Sequence, residues 1–183
     1  MKLEKNQQIN LTKDDDKLIR VKAVLNWETP KNIFPTYDLD VSAFLLNDKT
    51  KLISDEGFIF YNNETSPDGS VAKSPDERAG GSEEIIIDIP KLSPLVAEIS
   101  LIVTIHKGQE RAQSFKEVTG ANIEIFNADT NEKIAYFELD KSMGDTTACQ
   151  VGSFCKTSEG FTFKGVSVGY NLTLGDFLAG YSE

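Results

Sequence analysis

The stretch YDLDVSAFLLN, residues 37–47, decides how the chain is read. Leu39, Val41, Ala43 and Leu45 recur at every second position, the period of a strand with one face in a core. Asp38 and Asp40 fall together on the other face. Residues two apart on a strand hold their Cβ atoms roughly 6.5 to 7 Å from each other. At an effective dielectric near 20, two carboxylates at that spacing repel by on the order of 2 to 3 kcal/mol, which water or a bound cation relieves.

Segments of the same kind extend in both directions from this stretch. LIRVKAVLNW, LDVSAFLL, GFIFYN, EIIIDI, AEISLIVTIH, ANIEIFNA, KIAYFEL, ACQVGSF and FTFKGVSVGY read as about nine strands. Turn residues separate them at SPDG (66–69), AGGS (79–82), NADTNEK (127–133) and TSEG (157–160). Helical patterning is confined to GQERAQSFKEV, with two to three turns expected over 110–118, and to LGDFLAGYSE at the end. PKLSPLVAE, with prolines at 90 and 94, allows at most one helical turn. The pattern predicts an all-β, single-domain β-sandwich over residues 1–183, of two mainly antiparallel sheets with one or two short helices.

The charge narrows the partners. With 29 acidic against 19 basic residues and a net charge of −10, the chain repels phosphate backbones, so nucleic acid is not expected as a partner. Its apolar runs fall short of the roughly 18 to 20 residues that span a bilayer, and no membrane insertion is expected. The first residues, MKLEKNQQINLTKDDD, contain no apolar secretory segment, so a cytoplasmic protein is expected. Asp14, Asp15 and Asp16 within them read as a solvated turn. On a regular strand Cys149 and Cys155 would sit about 20 Å apart, too far for a disulfide.

Several chemistries lack their parts. One histidine, two cysteines and no CxxC leave no four-ligand structural zinc site. His106 ends the apolar strand ISLIVTIH, where an imidazole bonded to a backbone group is expected. GVSVG (165–169) spells the GxSxG nucleophile elbow, but the surrounding FTFKGVSVGY continues as a strand and no histidine follows Ser167. Neither GxxxxGK[ST] nor GxGxxG occurs. Trp27, beside an apolar strand, reads as a core residue rather than a sugar platform. No enzyme is expected. DTNEKIAYFELD from Asp129 opens like an EF-hand loop, yet it places Lys133 and Ile134 where an oxygen ligand and a glycine belong.

Oxygen donors do gather downstream of the Asp38–Asp40 pair. GFIFYNNETSPDGSV supplies Asn62, Asn63 and Asp68, and SPDERAGGSEE supplies Asp76, Glu77, Glu83 and Glu84. A hard ion taking 6 to 8 oxygens from carboxylates, amides and backbone is calcium, whereas magnesium keeps more of its waters. Gly80 and Gly81 would let the loop turn its carbonyls inward. On spacing alone, acidic loops that are only solvated account for the pattern better than a calcium site does.

At these residues the chain resembles the TerD-like tellurium-resistance family. MKLEKNQQINLTK resembles its opening strand, VLNWE its Gly-Trp-Asp segment and YDLDVSAFLL its DLDxS motif. FIFYNNETSPDGSV resembles the FxFYNQxxSPDGxV block, and IVTIHKGQERAQSFKEV the IHExxERxQxFxxV block. The resemblance implies a bacterial, non-enzymatic β-sandwich that binds calcium at one end and acts in resistance to tellurite and other stresses. Its partners would be other proteins of that system, a membrane component among them. By motif, Asp38 and Asp40 would be calcium ligands, as would oxygens of the 74–84 loop, with Asp76 and Glu84 matching most clearly. SPDERAGGSEE is shorter than the family's GDNxTGxGxGDDE-like loop, and VLNWE lacks the usual glycine before Trp27. One firm site is therefore expected, with a second left open. Two other functions remain from different classes: a metal-free interaction module that uses the acidic face, and a hydrolase built on carboxylates or Ser167.

Overall fold

Each of the nine segments with apolar patterning contains a strand. The computed structural model describes residues 1–13, 17–74, 81–139 and 141–182, with Ser142 described by its backbone alone. In chain order the strands are β1 (Lys2–Leu3), β2 (Gln8–Asn10), β3 (Arg20–Glu28), β4 (Leu39–Leu46), β5 (Phe58–Ile59) and β6 (Val71–Lys73). They continue as β7 (Ser82–Asp88), β8 (Glu98–Ile105), β9 (Thr119–Asn127), β10 (Lys133–Glu138), β11 (Ala148–Thr157) and β12 (Gly160–Tyr170), followed by helix α1 (Leu174–Ser182). β1, β2 and β6 were not among the nine because two or three residues are too few to display a period.

Two six-stranded sheets result, ordered β1-β10-β9-β3-β7-β6 and β2-β12-β11-β8-β4-β5. β1 pairs with β10 in parallel, and the other described pairs are antiparallel. Alternate residues of each inner face fill the space between the sheets. Val21, Ala23, Ile85, Ile87, Ile123 and Ile125 come from one side, and Val41, Ala43, Leu101, Phe154 and Phe163 from the other, all at 0% exposure. Removing this apolar area from water is the main force holding the sheets face to face.

β4 departs from the half-buried strand that its alternation suggests, because all eight of its residues are buried. Leu39, Val41, Ala43 and Leu45 face the main core, while Phe44 and Leu46 on the opposite face join Phe58, Ile102, Ala148 and Phe177 in a second cluster. Helix α1 lies over that outer face. Phe44 stacks on Phe58 at 4.6 Å between ring centroids and meets Tyr181 at 4.9 Å.

The helix expected over 110–118 does not form. Residues 106–112 turn instead, and only Phe115–Glu117 winds, as one 3-10 turn. Ala112 takes φ 51, a left-handed conformation that ends a right-handed helix. Tertiary bonds also claim the segment: the Gln113 side chain donates to the Pro35 carbonyl at 2.7 Å, and the Phe115 N–H donates to the Thr146 carbonyl.

A register shift in β11 between Gln150 and Gly152 moves the strand's faces by one residue. A Cβ on Gly152 would lie 2.7 Å from the Phe163 ring, so the shift needs glycine there. Cys149 therefore faces the core while Cys155 is half-exposed, and both thiols are free.

Candidate cation site at the start of β4

Asp38 immediately precedes β4 and is exposed. Its carbonyl accepts the N–H of His106 at 2.8 Å, which pins the start of β4 to the end of β8. Asp40, opposite Thr104 in the ladder, is 7% exposed and lines a cavity of about 300 Å³ on the outer face of its sheet. Tyr61, Thr104, His106, Lys107 and Thr147 share that lining, together with residues 172–175 ahead of and at the start of α1. Asn62 follows Tyr61 and is exposed. At α1 itself the first turn is satisfied internally: the Thr173 N–H and hydroxyl both donate to Asp176 Oδ2 at 2.7 Å, and Asp176 N–H donates back to Thr173 Oγ1. Those bonds hold Asp176 below the usual carboxylate range.

Glu83 comes to the same end by a different route. It faces inward from β7 and is 5% exposed. Its Oε1 accepts Lys73 Nζ at 2.8 Å, and its Oε2 accepts the backbone N–H of Val41. Burial pushes the Glu83 carboxyl up to about 7; the Lys73 ammonium and the Val41 N–H oppose that rise, and nearby Asp40 adds to it.

The remaining expected ligands do not gather here. Glu84 is the next residue on β7 and so lies on the opposite face from Glu83, half-buried on the outer side. Asp68 belongs to the SPDG turn, where its Oδ1 accepts from Ser66 Oγ (2.8 Å), Ser70 N–H (2.9 Å) and Ser70 Oγ (2.6 Å). Burial alone would raise Asp68, but these bonds outweigh it and hold the group below the ordinary range. That turn adjoins Asp88, whose N–H donates to the Ser70 carbonyl, at the far end of β7 from Glu83. The five-residue separation along the strand is about 17 Å. Asn63 donates its amide to the carbonyls of Phe58 (2.7 Å) and Glu56 (3.2 Å), closing a local turn. Asp76 and Glu77 lie outside the described residues, as do Asp14 to Asp16 and Gly80. Gly81 serves packing rather than coordination: its carbonyl accepts the Trp27 N–H at 2.8 Å, and a Cβ there would lie 2.2 Å from the Trp27 carbonyl oxygen. Trp27 itself is partly buried against the main core.

Among the described residues, no three His, Cys, Asp or Glu side chains converge where a metal ion could sit. Of the expected ligands among the described residues, Asp38 and Asp40 share the start of β4 and Asn62 follows the cavity-lining Tyr61, while Glu110 lines the same cavity as Asp40. At His106 the described hydrogen bond comes from the backbone N–H rather than the imidazole. Ser167 is 1% exposed inside β12, which runs on to Tyr170, so the strand-to-helix turn of a nucleophile elbow is not formed around it.

Lys73 is the residue that sequence reasoning passed over. A signal was present, since VAK places Lys73 two positions after the core residue Val71 and hence on the same inward face.

The TerD domain family pattern matches residues 1–181 of the chain. Tellurium resistance protein TerD of Serratia marcescens is 34% identical over 183 residues, an alignment that takes in 98% of this chain and 95% of that protein. General stress protein 16U of Bacillus subtilis is 32% identical over 173 residues, covering 92% of this chain and 90% of the other. The crystal structure of a homologue of telluride resistance protein (TerD) from Streptomyces coelicolor matches with a TM-score of 0.66 at 20% identity, covering 87% of this chain and 95% of that one. At that identity the likeness is one of fold.

Proposed function

The chain belongs to the TerD family of tellurium-resistance and stress proteins, and from that premise we propose that it is a non-enzymatic calcium-binding protein of a bacterial stress-resistance system. It acts in the cytoplasm and presents its acidic end to partner proteins of that system, a membrane component among them. The observation that carries the proposal is the placement of Asp40, a carboxylate withdrawn into a cavity beside exposed Asp38. Asp38 and Asp40 would hold one ion, with Asp76 and Asn62 kept from the sequence as further donors. Calcium, when bound, supplies the positive charge that offsets the repulsion between the two aspartates. The chain's own part is to fix them: the bond from the His106 N–H to the Asp38 carbonyl and the β4–β8 ladder set where both carboxylates stand. No helix among the described residues is long and apolar enough to cross a membrane.

Calorimetric titration with calcium tests this. The expected result is a single binding event that Asp38→Asn with Asp40→Asn abolishes. A flat titration, with an unchanged melting temperature up to millimolar calcium, would overturn it. That outcome would favour the second reading, a metal-free interaction module, which has its own support: Glu83, expected to ligate the ion, is already neutralised by Lys73.

A further inference from the structure

Lys73 carries a full charge into the interior, where its side chain is 0% exposed and Nζ lies 2.8 Å from Glu83 Oε1. A buried ammonium persists only when a partner compensates it. The route inward follows from the two-residue period of β6: Val71 and Lys73 share the core face and lie opposite Ile87 and Ile85 of β7. Glu83, two residues before Ile85, therefore lands beside Lys73.

The second oxygen of Glu83 reaches the other sheet. β5 pairs only with Ala43 and Phe44, so it stops short of Val41 on that edge of β4. The Val41 N–H donates to Glu83 Oε2 in place of a strand partner. Ammonium, carboxylate and amide thus form one chain running from β6 through β7 to β4.

We infer that Lys73 is a tethered cation: its ammonium occupies the cation position at the Glu83 carboxylate and joins the two sheets there without a metal ion. A divalent ion at this point would need 6 to 8 oxygens. Around Glu83, the Gly81 carbonyl is committed to the Trp27 N–H and Glu84 faces the other way. One compact monovalent charge with three N–H donors matches one carboxylate. The inference goes beyond the calcium site proposed at Asp38 and Asp40, and it holds whether or not that site binds the ion.

The test compares wild type, Lys73→Met and Lys73→Met with Glu83→Gln, each melted in chelator and in millimolar calcium. In chelator, Lys73→Met is expected to melt roughly 10 °C below wild type, because a buried carboxylate has lost its cation. The double variant should regain most of that loss. Calcium should shift the melting temperature of Lys73→Met no more than that of wild type, because the vacated position still offers too few oxygens for a divalent ion. The inference is overturned by a Lys73→Met protein as stable as wild type in chelator, by a double variant no better than the single one, or by a calcium shift larger for Lys73→Met than for wild type. Should Lys73→Met be insoluble, a soluble double variant supports the inference and an insoluble one overturns it. Wild-type calorimetry reads the Asp38–Asp40 site separately, so the two proposals fail independently.

Discussion

Glu83 and Glu84 are adjacent in sequence, yet their side chains stand on opposite faces of β7, one 5% exposed against Lys73 and the other half-buried on the outer side of the sheet. A single ion cannot be bound by both. Glu84→Gln is therefore expected to leave calcium affinity unchanged and stability within about 0.5 kcal/mol of wild type, as for ordinary surface changes. Calorimetry and urea unfolding of that variant check both statements.

Glu83 confers a pH dependence whose sign follows from its environment. Folding raises its carboxyl from 4.5 to about 7, so the folded state holds the proton more tightly than the unfolded chain. The stability from this group is fully present below about 4.5 and is lost as pH rises through about 7, a change on the order of 3 kcal/mol. Urea unfolding at pH 5 and pH 8 should show wild type losing stability relative to Glu83→Gln, which has no carboxyl to titrate there.

The cover that α1 places on β4 is testable at Phe177. This side chain is 8% exposed and packs on Phe44 and Tyr170, with centroids at 6.5 Å and 5.4 Å. Phe177→Ala is expected to cost about 3 kcal/mol through lost burial and the cavity left behind. A denaturant midpoint equal to that of wild type would show that α1 does not hold the outer face of β4.

Gly81 is needed for a close approach. Its added Cβ would lie 2.2 Å from the Trp27 carbonyl oxygen, which is backbone and cannot swing aside. Gly81→Ala is expected to destabilise by at least about 2 kcal/mol and to alter the Trp27 fluorescence. Wild-type stability and an unchanged emission spectrum would contradict the observed register of β7.

The two thiols should differ in reactivity. Burial pushes Cys149 up to about 12, and burial raises Cys155 less, at a half-exposed position on the other side of the β11 shift. Native protein treated with a thiol reagent at pH 8 is expected to label slowly at Cys155 and not at Cys149, while denatured protein labels at both. Mass spectrometry of the labelled peptides distinguishes the two positions.

Much of the fold was legible because period two is a local property. Leu39, Val41, Ala43 and Leu45 identify an inner face without reference to any partner, and the same holds for Val21, Ala23 and Leu25. The sequence also carried the family, through blocks such as DLDVS and FYNNETSPDGSV.

Tertiary structure alone decided the rest. Phe44 and Leu46 are buried because α1 folds back over them from more than a hundred residues away, a contact invisible to periodicity. The 110–118 segment has helical spacing, but its bonds to Pro35 and Thr146 outweigh that preference. The acidic residues diverge for the same reason. Alternation sends neighbours such as Glu83 and Glu84 to opposite faces, and strand pairing sets which charges then meet: the β6–β7 register brings Lys73 to Glu83, and the short β5 leaves the Val41 N–H for the same carboxylate. Sequence determines which side chains share a face of one strand, whereas the charge balance of a site depends on which strands lie side by side.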